Sequence, residues 1–117
     1  MLVPRKTRVV DGVTEVAVLI SSGFGAGWST WNREVEEALL FHEELVNYVL
    51  THAKDGLCEA QVEAILGTIL GEDEYVYAGG IDGLHVQWVV QGEAFVVSEY
   101  DGSEGLSLRD RFNWMEA

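Results

Sequence analysis

Apolar residues in the first third of the chain follow the pattern of β-strands. Val9-Val10 and the segment 13–20 are rich in β-branched residues, and Asp11-Gly12 between them is typical of a hairpin turn. Residues 16–20 are apolar at consecutive positions, so both faces of this part of the segment are suited to burial. We therefore predict two strands, the second of which is central in its sheet.

Helical spacing replaces this pattern after Asn32, a residue suited to the N-cap position. Apolar residues recur every three or four positions from about Arg33 to His52. The segment predicts either one helix or two, with a break near His42. The segment 59–66 has the same spacing and predicts another short helix.

The second half of the chain returns to the period-two alternation of strands. The segments 84–90 and 94–100 alternate well and are separated by Gln91-Gly92, which predicts a hairpin that pairs one with the other. Shorter strands are predicted at 75–78 and 106–108. The residues before the last strand, Asp101 to Gly105, predict a turn.

The resulting order, β-α-α-β-β-β, predicts an α+β fold with a small antiparallel or mixed sheet packed by two or three helices. At 117 residues the chain is expected to form a single domain, 1–117. Residues 1–8 are expected to be flexible. The tail 109–117 has an apolar side, because Phe112, Trp114 and Met115 follow Leu108. This side is expected either to pack back on the domain or to contact a second copy of the chain.

Negative charge is concentrated in the middle of the chain. The formal net charge is −13, and between Glu34 and Glu104 there are 16 acidic residues and a single base, Lys54, for a net −15. Such a surface repels nucleic acid, so direct nucleic-acid binding is not expected. It attracts basic proteins and accelerates their encounter. Two interpretations stay open: a mimic of nucleic acid that occupies a basic groove, or charge that keeps helix faces solvated.

Two further features of the sequence bear on the cellular compartment of the protein. The longest uncharged run, 16–32, is interrupted by glycine and serine and is a poor membrane span, and no signal peptide is expected at residues 1–8. Cys58 is the single cysteine, which excludes an intrachain disulfide. A cytoplasmic protein without a membrane partner is therefore expected.

Four segments have a distinctive composition: the glycine- and tryptophan-rich 23–31, then 41–46, 75–80 and 95–104. With these segments the chain resembles a family of small uncharacterised proteins encoded by phages and prophages. The segment 95–104 is the most specific of the four. The chain departs from the family pattern at His42-Glu43, where an Asp-Pro helix start is expected, and in its acidic load. The resemblance implies a viral accessory protein in a bacterial host, and it implies no particular activity.

The loop between the first long strand and the first helix carries the most chemical information. Its glycines allow close backbone approach to a ligand, a helix start offers N–H donors to an anion, and tryptophan offers a face on which a base can stack. These properties predict a nucleotide pocket; the alternative is a tight strand-to-helix turn with core tryptophans. The candidate ligand-binding residues are Ser22, Gly23, Phe24, Gly25, Ala26, Gly27, Trp28, Ser29, Thr30 and Trp31.

A second polar segment is the predicted turn near the end of the chain. Its functional interpretation is a rim that hydrogen-bonds sugar hydroxyls or amino groups of a ligand, and its structural interpretation is ordinary turn chemistry. The candidates are Glu99, Tyr100, Asp101, Ser103 and Glu104.

Motifs of catalysis and metal binding are not recognisable. The three histidines lack ligand spacing, Cys58 has no cysteine partner, and neither a Gly-Lys-Ser/Thr phosphate loop nor a Gly-x-Ser-x-Gly elbow occurs. We therefore predict no metal, no cofactor and no catalytic residue. An enzyme that uses the glycine loop as an oxyanion or phosphate site is the less favoured alternative.

Two functional hypotheses follow. The first is a phage counter-defence protein that binds and sequesters a small nucleotide-type signal without catalysis. The second is an acidic inhibitor, or nucleic-acid mimic, that binds a basic host protein. Homo-oligomerisation suits either.

Overall fold

The computed structural model describes residues 4–22, 28–52, 56–70, 81–100 and 103–108, and at positions 31, 33, 82 and 100 it describes the backbone alone. The fold class is α+β, as predicted. Its elements in chain order are β1 (Thr7–Val10), β2 (Val13–Ser21), α1 (Glu36–Phe41), α2 (Glu43–His52), α3 (Glu59–Leu70), β3 (Leu84–Val90), β4 (Phe95–Tyr100) and β5 (Ser103–Leu108). Short 3-10 turns lie at Ser29–Trp31, Arg33–Val35 and Ile81–Gly83.

The larger sheet is antiparallel with the order β1-β2-β3. Its central strand is β2, which confirms the inference from two apolar faces. The β1–β2 hairpin closes at Asp11 and Gly12, whose φ angles of 50° and 79° are those of a tight hairpin turn. On its other side β2 pairs with β3 over the full length of β3, residues 84–90.

The predicted hairpin between 84–90 and 94–100 is wrong, although both segments are strands. β3 pairs with β2, and β4 pairs with β5 in a separate two-stranded sheet. Period-two alternation specifies which face of a strand is buried, but it does not specify the neighbouring strand. After β3 the chain stays attached to β2, because the N–H of Gln91 donates to the carbonyl of Thr14 at 2.9 Å.

Two apolar clusters cover the two faces of the larger sheet. On one face Ala17 and Leu19 pack with buried residues of α2 and α3. On the other face Val16, Val18 and Ile20 pack with the β4–β5 hairpin and with the last residues of α1. The described chain is therefore layered as helices, sheet and hairpin, and α1 lies where the layers meet because it contributes to both clusters.

The helical region consists of two helices divided at His42, which is one of the two alternatives that the sequence predicted. The N–H of His42 ends α1 by donating to the carbonyl of Ala38 at 3.1 Å, and the N–H of Glu43 donates to the carbonyl of Pro4 at 3.0 Å. α1 begins at Glu36, later than predicted, because two 3-10 turns precede it. α3 continues to Leu70, beyond the predicted end at residue 66. The strand predicted at 75–78 lies outside the described residues.

Among the helices that the structure describes, none combines the length and the apolar character that a membrane crossing requires.

The same substitution at two glycines is expected to have opposite effects. Gly12→Ala should lower the free energy of unfolding by about 1–2 kcal/mol, because an L-residue is strained at positive φ. Gly67→Ala should raise it by about 0.5–1 kcal/mol, because alanine is the better helix former. A Cβ added at either position meets nothing within 4 Å, so steric clash contributes to neither result. Urea denaturation followed by circular dichroism measures both, and a change of the same sign at the two sites would contradict this account of the turn.

Candidate functional site

Glu104 is a buried carboxylate at the start of β5. It is 5% exposed and lies on the same face of the hairpin as Leu106 and Leu108, which pack against the larger sheet. A charged group that leaves water is costly unless it is hydrogen-bonded or paired. The position of Glu104 therefore depends on what its two oxygens contact.

Four hydrogen bonds from described residues converge on this carboxylate. Oε1 accepts from the N–H of Ser21 at 2.9 Å. Oε2 accepts from the N–H of Trp28 at 2.9 Å, and from both the N–H and the Oγ1 hydroxyl of Thr30 at 3.0 and 2.7 Å. Glu104 thus joins the end of β2 to the first 3-10 turn. Its charge also satisfies backbone donors at the start of that turn, which have no acceptor within the turn itself.

A second contact links the same two segments. The hydroxyl of Ser103 donates to the carbonyl of Ser22 at 3.1 Å. The structure therefore brings together residues from both groups of predicted ligand-binding residues, and they bind each other: Ser103 and Glu104 contact Ser22, Trp28 and Thr30.

Trp28 belongs to the core. Its side chain is fully buried, and its indole Nε1–H donates to the carbonyl of Leu39 at 2.9 Å. Leu39 lies in the last turn of α1, where carbonyls have no N–H partner further along the helix. The amide of Asn32 in turn donates to the carbonyl of Trp28 at 2.8 Å. In this conformation the ring of Trp28 packs inside the protein and offers no face to a ligand.

The other predicted site residues are placed as follows. Ser29 is fully buried, and its hydroxyl has no hydrogen-bond partner among the described residues. Glu99 is exposed on β4. Trp31 and Tyr100 are described by their backbone alone, in the first 3-10 turn and in β4. Outside the described residues lie Gly23, Phe24, Gly25, Ala26, Gly27 and Asp101.

A groove that the sequence analysis missed lies between α1 and β4, and we call it the α1–β4 groove. Its volume is about 400 Å³, and it is lined by Glu36, Glu37, Leu40 and Phe41 of α1 and by residues 95–97 of β4. The predicted pairing of β4 with β3 gave no reason to expect α1 beside β4. The sequence feature that indicates this side of β4 is its alternation: Phe95 and Val97 are predicted to point inward and Val96 outward.

One basic side chain already contacts a wall of this groove. The guanidinium of Arg5 lies over the ring of Phe41, with Cζ 3.9 Å from the ring centroid. Its Nη2 is 3.0 Å from a carboxylate oxygen of Glu37. Phe95 meets the ring of Phe41 edge to face at a centroid distance of 6.0 Å. Glu37 and Phe41 of α1 therefore both contact the guanidinium of Arg5.

Exposed glutamates are frequent on the helical side of the molecule. The exposed acidic residues from the second 3-10 turn to α3 are Glu34, Glu37, Glu43, Glu44, Glu59 and Glu63, which we call the helical acids. Of these, Glu37 is the one that forms an ion pair with a described basic side chain. Six of the 16 acidic residues counted between Glu34 and Glu104 are therefore accessible side chains on the helical side.

The histidines and the cysteine have local contacts. The Nδ1 atom of His42 accepts from the N–H of Glu44 at 3.3 Å, and the ring of His52 stacks on Tyr48 at 4.5 Å. Cys58 is exposed. In the described ranges, His, Cys, Asp and Glu side chains form no group of three that could hold a metal ion.

Comparison with protein-family models, with curated proteins and with solved structures finds no match to this chain.

Proposed function

We propose that this protein is a non-catalytic, acidic protein-binding inhibitor that acts on a basic partner. The observation that carries the proposal is the exposure of the helical acids, of which one is paired with a described base. A field of one sign attracts an oppositely charged surface from a distance and orients it before contact. Like charges on a surface also repel each other, so a basic partner relieves a cost that the free protein bears.

The nucleotide-binding hypothesis remains a prediction and is less well supported. It relies on backbone donors that are open to phosphate and on tryptophan faces that are open to a base. The N–H groups of Trp28 and Thr30 donate to Glu104, and the ring of Trp28 is buried. Calorimetry with cyclic and ADP-ribose-type nucleotides tests it directly, and substantial heat at a 1:1 ratio would favour it over our proposal.

The partner's origin is proposed from the sequence resemblance. The likeness to phage- and prophage-encoded proteins points to a counter-defence role in the cytoplasm of a bacterial host. A basic host protein that normally contacts nucleic acid would meet an acidic surface in its place. The buried acceptor Glu104 does not take part in this role, because its oxygens are engaged within the protein.

The expected result is salt-sensitive capture of a basic protein. The immobilised chain is exposed to nuclease-treated bacterial lysate, and the protein that elutes with salt is purified for kinetic measurement. Neutralising four helical acids (Glu43→Gln, Glu44→Gln, Glu59→Gln and Glu63→Gln) should slow association about ten-fold at low salt, with a smaller effect on dissociation. The control carries Gln61→Ala and Gln91→Ala, which alter exposed neutral residues. Binding that is unaffected by salt and by the four neutral substitutions would contradict the proposal.

A further inference from the structure

The α1–β4 groove runs along the edge of a strand. Consecutive residues of a strand point to opposite faces, yet residues 95–97 all line the groove. A groove that contacts all three must therefore follow the strand's edge and its backbone. No residue of β5 lines it, so this edge is the one opposite β5.

This edge of β4 has no strand partner within the described residues, because the smaller sheet consists of β4 and β5 alone. An edge strand offers a row of backbone donors and acceptors to another extended chain. Val96 is 52% exposed, whereas Val97 is 6% exposed and anchors the strand on the core. The outward side of the strand is therefore accessible, and its inward side chain holds the strand in place.

The opposite wall and the floor of the groove determine which side chains fit. Glu36 and Glu37 carry negative charge on the α1 side, and Leu40, Phe41 and Phe95 supply an apolar floor. The contact of Arg5 with Glu37 and Phe41 is an example, within this protein, of a guanidinium held at that wall. Charge and shape together favour arginine side chains with apolar residues between them.

We propose that the α1–β4 groove binds an extended, arginine-bearing segment of the basic partner, whose backbone adds to the edge of β4 that has no strand partner among the described residues. This inference rests on the proposed function and names the part of the surface that gives it specificity. Arginines of the segment approach the carboxylates of Glu36 and Glu37, and at Glu37 they compete with Arg5. The segment's apolar side chains cover Phe95, since Phe41 is 7% exposed and already lies under Arg5. The remaining helical acids steer the partner and contribute little to the bound state.

The test uses the full chain and a short, fluorescein-labelled peptide in which arginine and valine alternate. Fluorescence anisotropy is measured at about 0.15 M ionic strength, where charges more than about 8 Å apart are largely screened. Glu36→Gln/Glu37→Gln should weaken binding about ten-fold or more, which corresponds to about 1.4 kcal/mol. The matched control, Asp11→Asn/Glu93→Gln, removes two charges that belong neither to the helical acids nor to the lining of the groove, and should change the affinity less than about two-fold.

A second comparison tests the strand edge. A peptide with the same sequence but N-methylated at alternate residues, prepared in both registers, keeps its charge and loses half of its backbone donors. At least one register should bind about ten-fold more weakly, and the unmodified peptide should shift the amide resonances of residues 95–97 in the ¹⁵N-labelled protein.

Several results would overturn the inference. If both double substitutions weaken peptide binding equally and binding stays sensitive to salt, the proposed function is retained but the groove is not the binding site. Absence of any salt-sensitive binding to basic probes or proteins would remove both. Tighter peptide binding after Arg109→Gln/Arg111→Gln would assign the groove to the chain's own C-terminal segment. A dimer in sedimentation equilibrium that Glu36→Gln/Glu37→Gln dissociates would assign it to a second copy.

Discussion

Replacing Glu104 with alanine is expected to lower the free energy of unfolding by about 3–5 kcal/mol. The substitution leaves the N–H groups of Ser21, Trp28 and Thr30 without the carboxylate that they now share. The estimate is below the sum for four separate hydrogen bonds, because the same change also removes the cost of burying a charge. Urea denaturation followed by tryptophan fluorescence measures the loss.

Glu104→Gln separates the charge from the shape of the side chain. Glutamine keeps the volume but places an NH₂ donor where one of the carboxylate oxygens accepts hydrogen bonds, so a loss of about 2–3 kcal/mol is expected. The control is Glu63→Gln on the exposed face of α3, for which a change within about 0.5 kcal/mol is expected. Wild-type stability in Glu104→Gln would contradict the role of the carboxylate.

Trp28→Ala should be comparably damaging, with a loss of about 3–5 kcal/mol, because it removes the largest fully buried side chain among the described residues. Trp28→Phe should cost about 2–3 kcal/mol. Phenylalanine fills part of the space but cannot donate to the carbonyl of Leu39, which then stays buried without that donor near the end of α1.

Trp88→Phe is the matched control for this prediction. Trp88 is half-buried on β3, and its ring is covered by the guanidinium of Arg8 at 4.2 Å. A phenylalanine ring retains most of that contact, so the expected loss is about 1 kcal/mol or less. Equal losses in the two Trp→Phe variants would mean that the hydrogen bond to Leu39 does not stabilise α1.

The strands β1 to β4 and the first turn could be predicted because each depends on neighbouring residues. Alternating or continuous apolar positions specify the burial of β2, and Asp11-Gly12 tolerates the positive φ of the turn. The division at His42 was one of two predicted alternatives, based on the acids that follow His42 and suit the first turn of a second helix. Such signals act over a few residues and are visible in a single sequence. β5 begins at Ser103, inside the segment 101–105 that was predicted to be a turn.

The sequence allowed several residues of the candidate site to be predicted, but not that these residues would bind each other. Sequence reasoning selected both the glycine–tryptophan loop and the polar turn as candidates for one ligand site. In the structure, described residues of the two bind each other. The partners of Glu104 are 74 to 83 residues away along the chain, and a glutamate that is to be buried resembles any other acid in a predicted turn. Burial depends on packing over that distance.

Most of the helices and strands, the central position of β2 and the negative charge follow from composition and periodicity, which do not depend on distant residues. Long-range packing determines that β4 pairs with β5 and not with β3, that Glu104 accepts hydrogen bonds from the loop, and that a groove lies between α1 and β4. Each of these depends on which apolar faces cover one another, and many pairings satisfy the same alternation. The pairing with the lowest free energy depends on contacts made along the whole chain.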